Sequence, residues 1–110
     1  MKEPLISVII INYKKPDDSI FSIKSVINQG YKDCEAILID DDSPDDSLKK
    51  IRRVFAKIKF PNVKIIGLKK ALGRAAWNEG MKRAQGDIFL LLDADMYLTK
   101  NFLKLLSKKF

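Results

Sequence analysis

The chain has no histidine and a single cysteine, Cys34, among its 110 residues. Without histidine it lacks the commonest general base at neutral pH and any histidine-based zinc site. One cysteine excludes an intrachain disulfide and gives no sign of an oxidising compartment. Glycine and proline are scarce, at five and four residues, and no linker, repeat or low-complexity segment interrupts the chain. No apolar run reaches the roughly 18 residues of a membrane span. The apolar run after Met1-Lys2-Glu3-Pro4 is too short and wrongly flanked for a signal peptide. The expected location is the cytoplasm, with the cytoplasmic membrane surface as the alternative.

What is present suits one globular domain over residues 1–110, with 46% hydrophobic residues for a core and a net charge of +7. Basic residues gather at Lys49-Lys50, Arg52-Arg53 and Lys104, Lys108 and Lys109. Such a balance favours phosphorylated ligands, polyanions or an anionic membrane. Most of these lysines read as solubilising helix faces, and no nucleic-acid partner is expected.

Hydrophobic period divides the chain into alternating strands and helices. Residues 5–11 are β-branched and almost wholly apolar, which predicts a buried parallel strand. Pro16, followed by Asp17 and Asp18, starts a helix that ends at a left-handed Gly30. Residues 34–39 form a second strand, and Leu48, Ile51, Val54, Phe55 and Ile58 mark an amphipathic helix. Residues 63–68 alternate as a less buried, edge-side strand. Ala75, Ala76, Trp77, Gly80, Met81 and Ala84 predict a small-residue helix that packs close to a sheet and is capped by Gly86. Residues 87–92 read as a fourth strand covered on both faces, and Thr99 as the N-cap of a last helix.

This alternation predicts an α/β fold: a three-layer α/β/α sandwich around a mostly parallel, Rossmann-like sheet of about four strands in the order 3-2-1-4. The order reverses beside the first strand. A crevice then opens between strands one and four at their carboxyl ends, where open α/β sheets bind ligands. Asn12-Tyr13, Asp40-Asp41-Asp42 and Asp93-Ala94-Asp95 all leave the sheet there. Asp93 and Asp95 point the same way if the strand persists, and paired carboxylates suit a hard divalent cation. Fourth in the order, the last strand is also an open edge, which predicts pairing with a second copy of the chain. A phosphatase would carry its acidic pair on the first strand, and a phosphorylation receiver would need a later strand with lysine.

Several segments together are identified as characteristic of one family. They are Ile6-Ser7-Val8-Ile9-Ile10-Ile11-Asn12-Tyr13, Ser25-Val26-Ile27-Asn28-Gln29, Ile39-Asp40-Asp41-Asp42-Ser43-Pro44-Asp45, Asn78-Glu79-Gly80, Ala84-Gln85-Gly86-Asp87 and Leu92-Asp93-Ala94-Asp95. In order and spacing the chain resembles the N-terminal, nucleotide-sugar-binding half of a family 2 glycosyltransferase with the GT-A fold. The resemblance implies metal-assisted transfer of a sugar from a nucleoside diphosphate sugar, a UDP-sugar above all, with Mn²⁺ or Mg²⁺ as cofactor. It places Tyr13 against the nucleobase, Asp41 on a base N–H, Asp93 on the ribose or the metal, and Asp95 on the metal. Arg74 reads equally as a phosphate contact or as a surface residue at a helix start. Asp45 and Asp46 read as helix or turn caps.

The chain departs from the family pattern at Ile11, at Asp42 and at Trp77, which reads as packing. Three successive aspartates leave open which of them meets the base. The family's second half carries the acceptor site and the general base, so no catalytic base is assignable within residues 1–110 and the domain reads as truncated. The alternative reading is a non-catalytic, nucleotide-binding or self-associating module.

Overall fold

The computed structural model describes residues 3–110. Four parallel strands form one sheet in the order β3-β2-β1-β4: β1 (Ile6–Asn12), β2 (Cys34–Asp40), β3 (Val63–Gly67) and β4 (Ile88–Asp93). The strand order and parallel pairing are those predicted. β2 is buried at every position, β1 at all but Ile11, and β3 is half-buried throughout, as its alternation implies.

Helices α1 (Pro16–Ile27), α2 (Ser47–Lys57) and α4 (Phe102–Ser107) flank a core that holds Val8, Ile10 and Leu38 with Ile23, Ile51 and Leu103. α3 (Ala76–Arg83) lies on the other face, where Ile9, Ile37 and Ile39 meet Ala76. Each fully buried isoleucine contributes about 1.5–3 kcal/mol of transfer free energy, so the β-branched runs hold the three layers together. Gly80 lets α3 sit directly on the sheet, because a β-carbon there would collide with the side chain of Ile9.

Several local expectations are corrected. Neither glycine caps its helix. α1 ends at Ile27 with Asn28 as its C-cap, and Gly30 takes its left-handed φ of 72° beyond the helix. α3 ends at Arg83, and Gly86 instead lies flat on β1, where a β-carbon would stand 2.8 Å from the Ser7 nitrogen and 2.9 Å from the Leu5 oxygen. α4 starts at Phe102 with left-handed Asn101 as its N-cap, not Thr99. The reason is Gln29: its Oε1 accepts the Leu103 amide at 2.9 Å and its Nε2 donates to the Thr99 carbonyl at 2.7 Å. A side chain from the distant turn after α1 thus satisfies the free amide that a local cap would have taken. β4 is not covered on both faces. Ile88, Leu90 and Leu92 pack into the core shared with α1, while Phe89 and Leu91 are 42% and 37% exposed.

At the opposite, amino end of the strands from the crevice, Glu35 near the start of β2 is buried, only 5% exposed. It accepts hydrogen bonds from Ser7 Oγ and the Gln85 amide, both at 2.6 Å, and pairs with Lys64 at 3.3 Å. Burial by itself pushes the carboxyl pKa up, but the hydrogen bonds from Ser7 and Gln85, with Lys64, outweigh it and hold the group below its ordinary value. A folded-state pKa below the unfolded one gives stability that is present above the unfolded value and lost as pH falls through the folded one. Urea midpoints measured from neutral pH downward are therefore expected to fall below the ordinary glutamate range, and to fall less steeply in Glu35→Gln. Equal acid slopes in the two proteins would exclude this role.

Candidate functional site: the crevice at the ends of β1, β2 and β4

The sheet register sets this site. Asn12 at the end of β1 lies beside Asp40 at the end of β2, and Ile11 lies beside Asp93 at the end of β4. Successive side chains on a strand point to opposite faces. Asn12 and Asp40 therefore turn toward α1, whereas Asp93 shares the α3 face with Ile11.

On the α1 side a buried polar network joins the strand ends. Asp40, 2% exposed, accepts hydrogen bonds from Asn12 Nδ2 at 2.8 Å, Ser43 Oγ at 2.6 Å and the Ser43 amide at 3.1 Å. Asn12 Oδ1 accepts Ser19 Oγ at 2.6 Å and the Lys15 amide at 3.3 Å. Ser43 Oγ also accepts the Lys14 amide at 3.1 Å. One network thus fixes both loops that rim the crevice, after β1 and after β2. Lys14 and Asp42, one in each loop, have left-handed φ values of 60° and 55°. Such conformations cost about 1–3 kcal/mol each and persist where the surroundings impose them, commonly at functional sites.

On the α3 side, Asp41 is 6% exposed and accepts two backbone amides, Leu72 at 2.7 Å and Gly73 at 2.9 Å. A carboxylate has about four acceptor positions, so two remain for a ligand. Gly73 opens a 3-10 turn, Gly73–Ala75, with a φ of 61°, and this turn leads directly into α3. Asp41 therefore ties the loop that bears Arg74 to the end of β2. Arg74 is exposed. Trp77 donates from Nε1 to the Leu92 carbonyl at 3.3 Å and packs against the α3-side core, the packing role read for it in the sequence.

The three aspartates after β2 thus separate by environment: Asp40 buried in a network, Asp41 holding the Arg74 loop, Asp42 exposed. Asp45 Oδ1 accepts the Ser47 amide at 3.0 Å at the start of α2, and Ser47 holds the carboxyl pKa below its ordinary value. Asp46, the residue before the helix, makes no side-chain cap.

Tyr13 follows β1 and is 49% exposed, and Lys14 Nζ lies 6.0 Å from its ring centroid. Asp93 and Asp95 do not continue along one strand. β4 ends at Asp93, and the Met96 amide bonds back to the Asp93 carbonyl at 3.0 Å, so Asp95 stands in a turn. Both carboxylates are exposed, and neither pairs with a lysine or arginine among the described residues. The described residues contain no group of three or more His, Cys, Asp or Glu side chains able to hold a metal by themselves. Two free carboxylates suit a cation whose remaining ligands come from a substrate or water.

The structure therefore brings Tyr13, Asp41, Arg74, Asp93 and Asp95 to the carboxyl-end rim. Sequence reasoning did not assign the roles of Asn12, Asp40 and Ser43. Their signal was the Asn at the end of one strand and the Asp at the end of another, which becomes informative only with the register.

The model of the family described as glycosyl transferase family 2 matches residues 7–110. The chain is 37% identical over 105 residues to an uncharacterized glycosyltransferase of Haemophilus influenzae, covering 94% of this chain and 41% of that protein. It is 33% identical to a dolichyl N-acetyl-α-D-glucosaminyl phosphate 3-β-D-2,3-diacetamido-2,3-dideoxy-β-D-glucuronosyltransferase of Methanococcus voltae, covering 90% of this chain and 32% of that protein. It thus spans well under half the length of either relative. Among solved structures, S. aureus TarS in complex with UDP superposes with a TM-score of 0.78 at 26% identity, over 94% of this chain and 31% of that one. A mannosyltransferase of Pyrobaculum calidifontis, in complex with GDP-Man and Mn²⁺, matches at a TM-score of 0.83 and 21% identity, over 92% of this chain and 30% of that one. With a four-stranded parallel sheet of the GT-A type and a family match across nearly all of its length, this chain belongs to glycosyl transferase family 2.

Proposed function

We propose that the crevice binds a nucleoside diphosphate sugar, a UDP-sugar, together with Mn²⁺ or Mg²⁺, and that the domain supplies the donor half of a sugar transfer. The observation that carries this reading is that Asp41, at the end of β2, anchors the loop that bears Arg74 through the Leu72 and Gly73 amides, while Tyr13 and Asp93 end β1 and β4 at the same carboxyl end of the sheet. Tyr13 stacks on the base. Asp41 accepts a base N–H with the lone pairs its two backbone bonds leave free, and an ionised acceptor selects a base that can donate. Arg74 meets the phosphates, to which a guanidinium fork is matched. Asp93 reaches the ribose or the metal, and Asp95 holds the metal. A divalent cation there neutralises the departing diphosphate and acts on it as a Lewis acid. The acceptor and its general base belong to no residue assigned in this domain.

Calorimetry with UDP, in the presence and absence of Mn²⁺, tests the reading. UDP is expected to bind at least about tenfold more tightly with Mn²⁺ than without it, and more tightly than GDP. Absence of UDP binding under both conditions would overturn the proposal, and tighter binding of GDP would overturn the choice of base.

A further inference from the structure

Phe21 on α1 and Tyr97 after β4 are 59% and 58% exposed. They pack edge to face, with ring centroids 5.1 Å apart and planes at 87°. Both rest on ordered supports. The Leu98 amide donates to Ser25 Oγ at 2.9 Å, and Gln29 Nε2 donates to the Thr99 carbonyl at 2.7 Å. The segment that bears Tyr97 is therefore fastened to α1, and the rings are held in place rather than loosely displayed. Lys24 and Lys100 line the same shallow cleft, and among the described residues no carboxylate lines it. Asp17 and Asp18 lie about one turn earlier on α1, where Asp17 pairs with Lys50 at 2.7 Å. The donor site uses neither ring.

Fixed rings between lysines have the chemistry of the boundary between water and a charged bilayer. The rings take up the headgroup level, with the tyrosine hydroxyl toward water. Lysine ammonium groups attract anionic headgroups while their stems lie along apolar surface. We propose that Phe21 and Tyr97, framed by Lys24 and Lys100, dock this domain on an anionic lipid bilayer. The patch lies on the α1 side of the sheet, and Tyr97 lies two residues beyond Asp95 in the chain.

Sedimentation of the full chain with vesicles tests the surface. It is expected to bind phosphatidylglycerol–phosphatidylcholine vesicles, to ignore pure phosphatidylcholine, and to weaken with salt. The double variants Phe21→Ser/Tyr97→Ser and Lys24→Gln/Lys100→Gln are each expected to lower partitioning about tenfold. Circular dichroism and UDP binding without vesicles should stay as in the parent chain. The proposal is overturned if the parent chain stays in solution. It is equally overturned if both variants bind as the parent does, which assigns the attraction to the general basic surface of α2. A changed oligomeric state in the aromatic variant, without vesicle binding by the parent, makes the pair a protein contact and also overturns it. Vesicle binding that follows the variants while UDP fails to bind supports the docking surface and removes the donor-site reading alone.

Discussion

Replacing Asp95 by asparagine is expected to weaken Mn²⁺-dependent UDP binding by about 10- to 100-fold, or roughly 1.4–2.7 kcal/mol, and to leave the fold intact. Asparagine keeps the shape and one carbonyl oxygen but removes the charge that a hard divalent cation requires. The stability arm of this expectation follows from position. Asp95 is exposed in the turn after β4, and its carboxylate makes no ion pair among the described residues. The thermal midpoint should therefore not move. Glu3→Gln is a suitable control, because it removes an equal, exposed charge ahead of β1, at the opposite end of the sheet. Calorimetry should show the loss in Asp95→Asn only with metal present. Unchanged affinity in Mn²⁺ would remove the metal role from Asp95. An equal loss in Glu3→Gln would reduce the effect to net charge.

Asp40→Ala is expected to cost about 3–5 kcal/mol of stability, because three buried donors lose their acceptor at about 1–3 kcal/mol each. For a domain whose total stability is of order 5–15 kcal/mol, that is a large share. The alanine leaves Asn12 Nδ2, Ser43 Oγ and the Ser43 amide without their shared acceptor in a site only 2% exposed. Asp40→Asn keeps an acceptor but turns an NH₂ toward groups that already donate, so it should cost less, about 1–3 kcal/mol. Urea unfolding measures both, as a lower midpoint at unchanged slope. A loss below about 1 kcal/mol in Asp40→Ala would show that the network contributes little. Because the same network holds the loops after β1 and β2, Asp40→Ala should also weaken UDP binding, whereas Asp95→Asn should separate binding from stability.

The fold was legible because its signals are local. The β-branched runs of β1 and β2, the alternation of β3 and the amphipathic spacing of α2 each follow from a side-chain period along a short segment. Right-handed crossovers then left few strand orders. The helix ends were less legible. Thr99 offered a good local cap, yet Gln29, seventy residues earlier in the chain, took the Leu103 amide instead. Gly86 read as a helix cap because glycine commonly is one, whereas its position is imposed by the backbone of β1. β4 read as doubly covered because its apolar run is unbroken, but apolar residues do not state which neighbours are present.

The site divides along the same line. Sequence alone determined which residues leave the carboxyl ends of the strands, the acidic character of that rim, and the resemblance that the family match bears out over residues 7–110. Only the tertiary structure decided what each carboxylate does. Asp40 and Asp41 are adjacent and chemically identical, and the pleat sends them to opposite faces of the sheet. Asp40 meets Asn12 and Ser43 from the neighbouring strand and loop, and Asp41 meets the Leu72 and Gly73 amides. A side chain's role depends on partners supplied by register and packing, which are long-range in sequence, whereas its chemical type and its place on a strand are local.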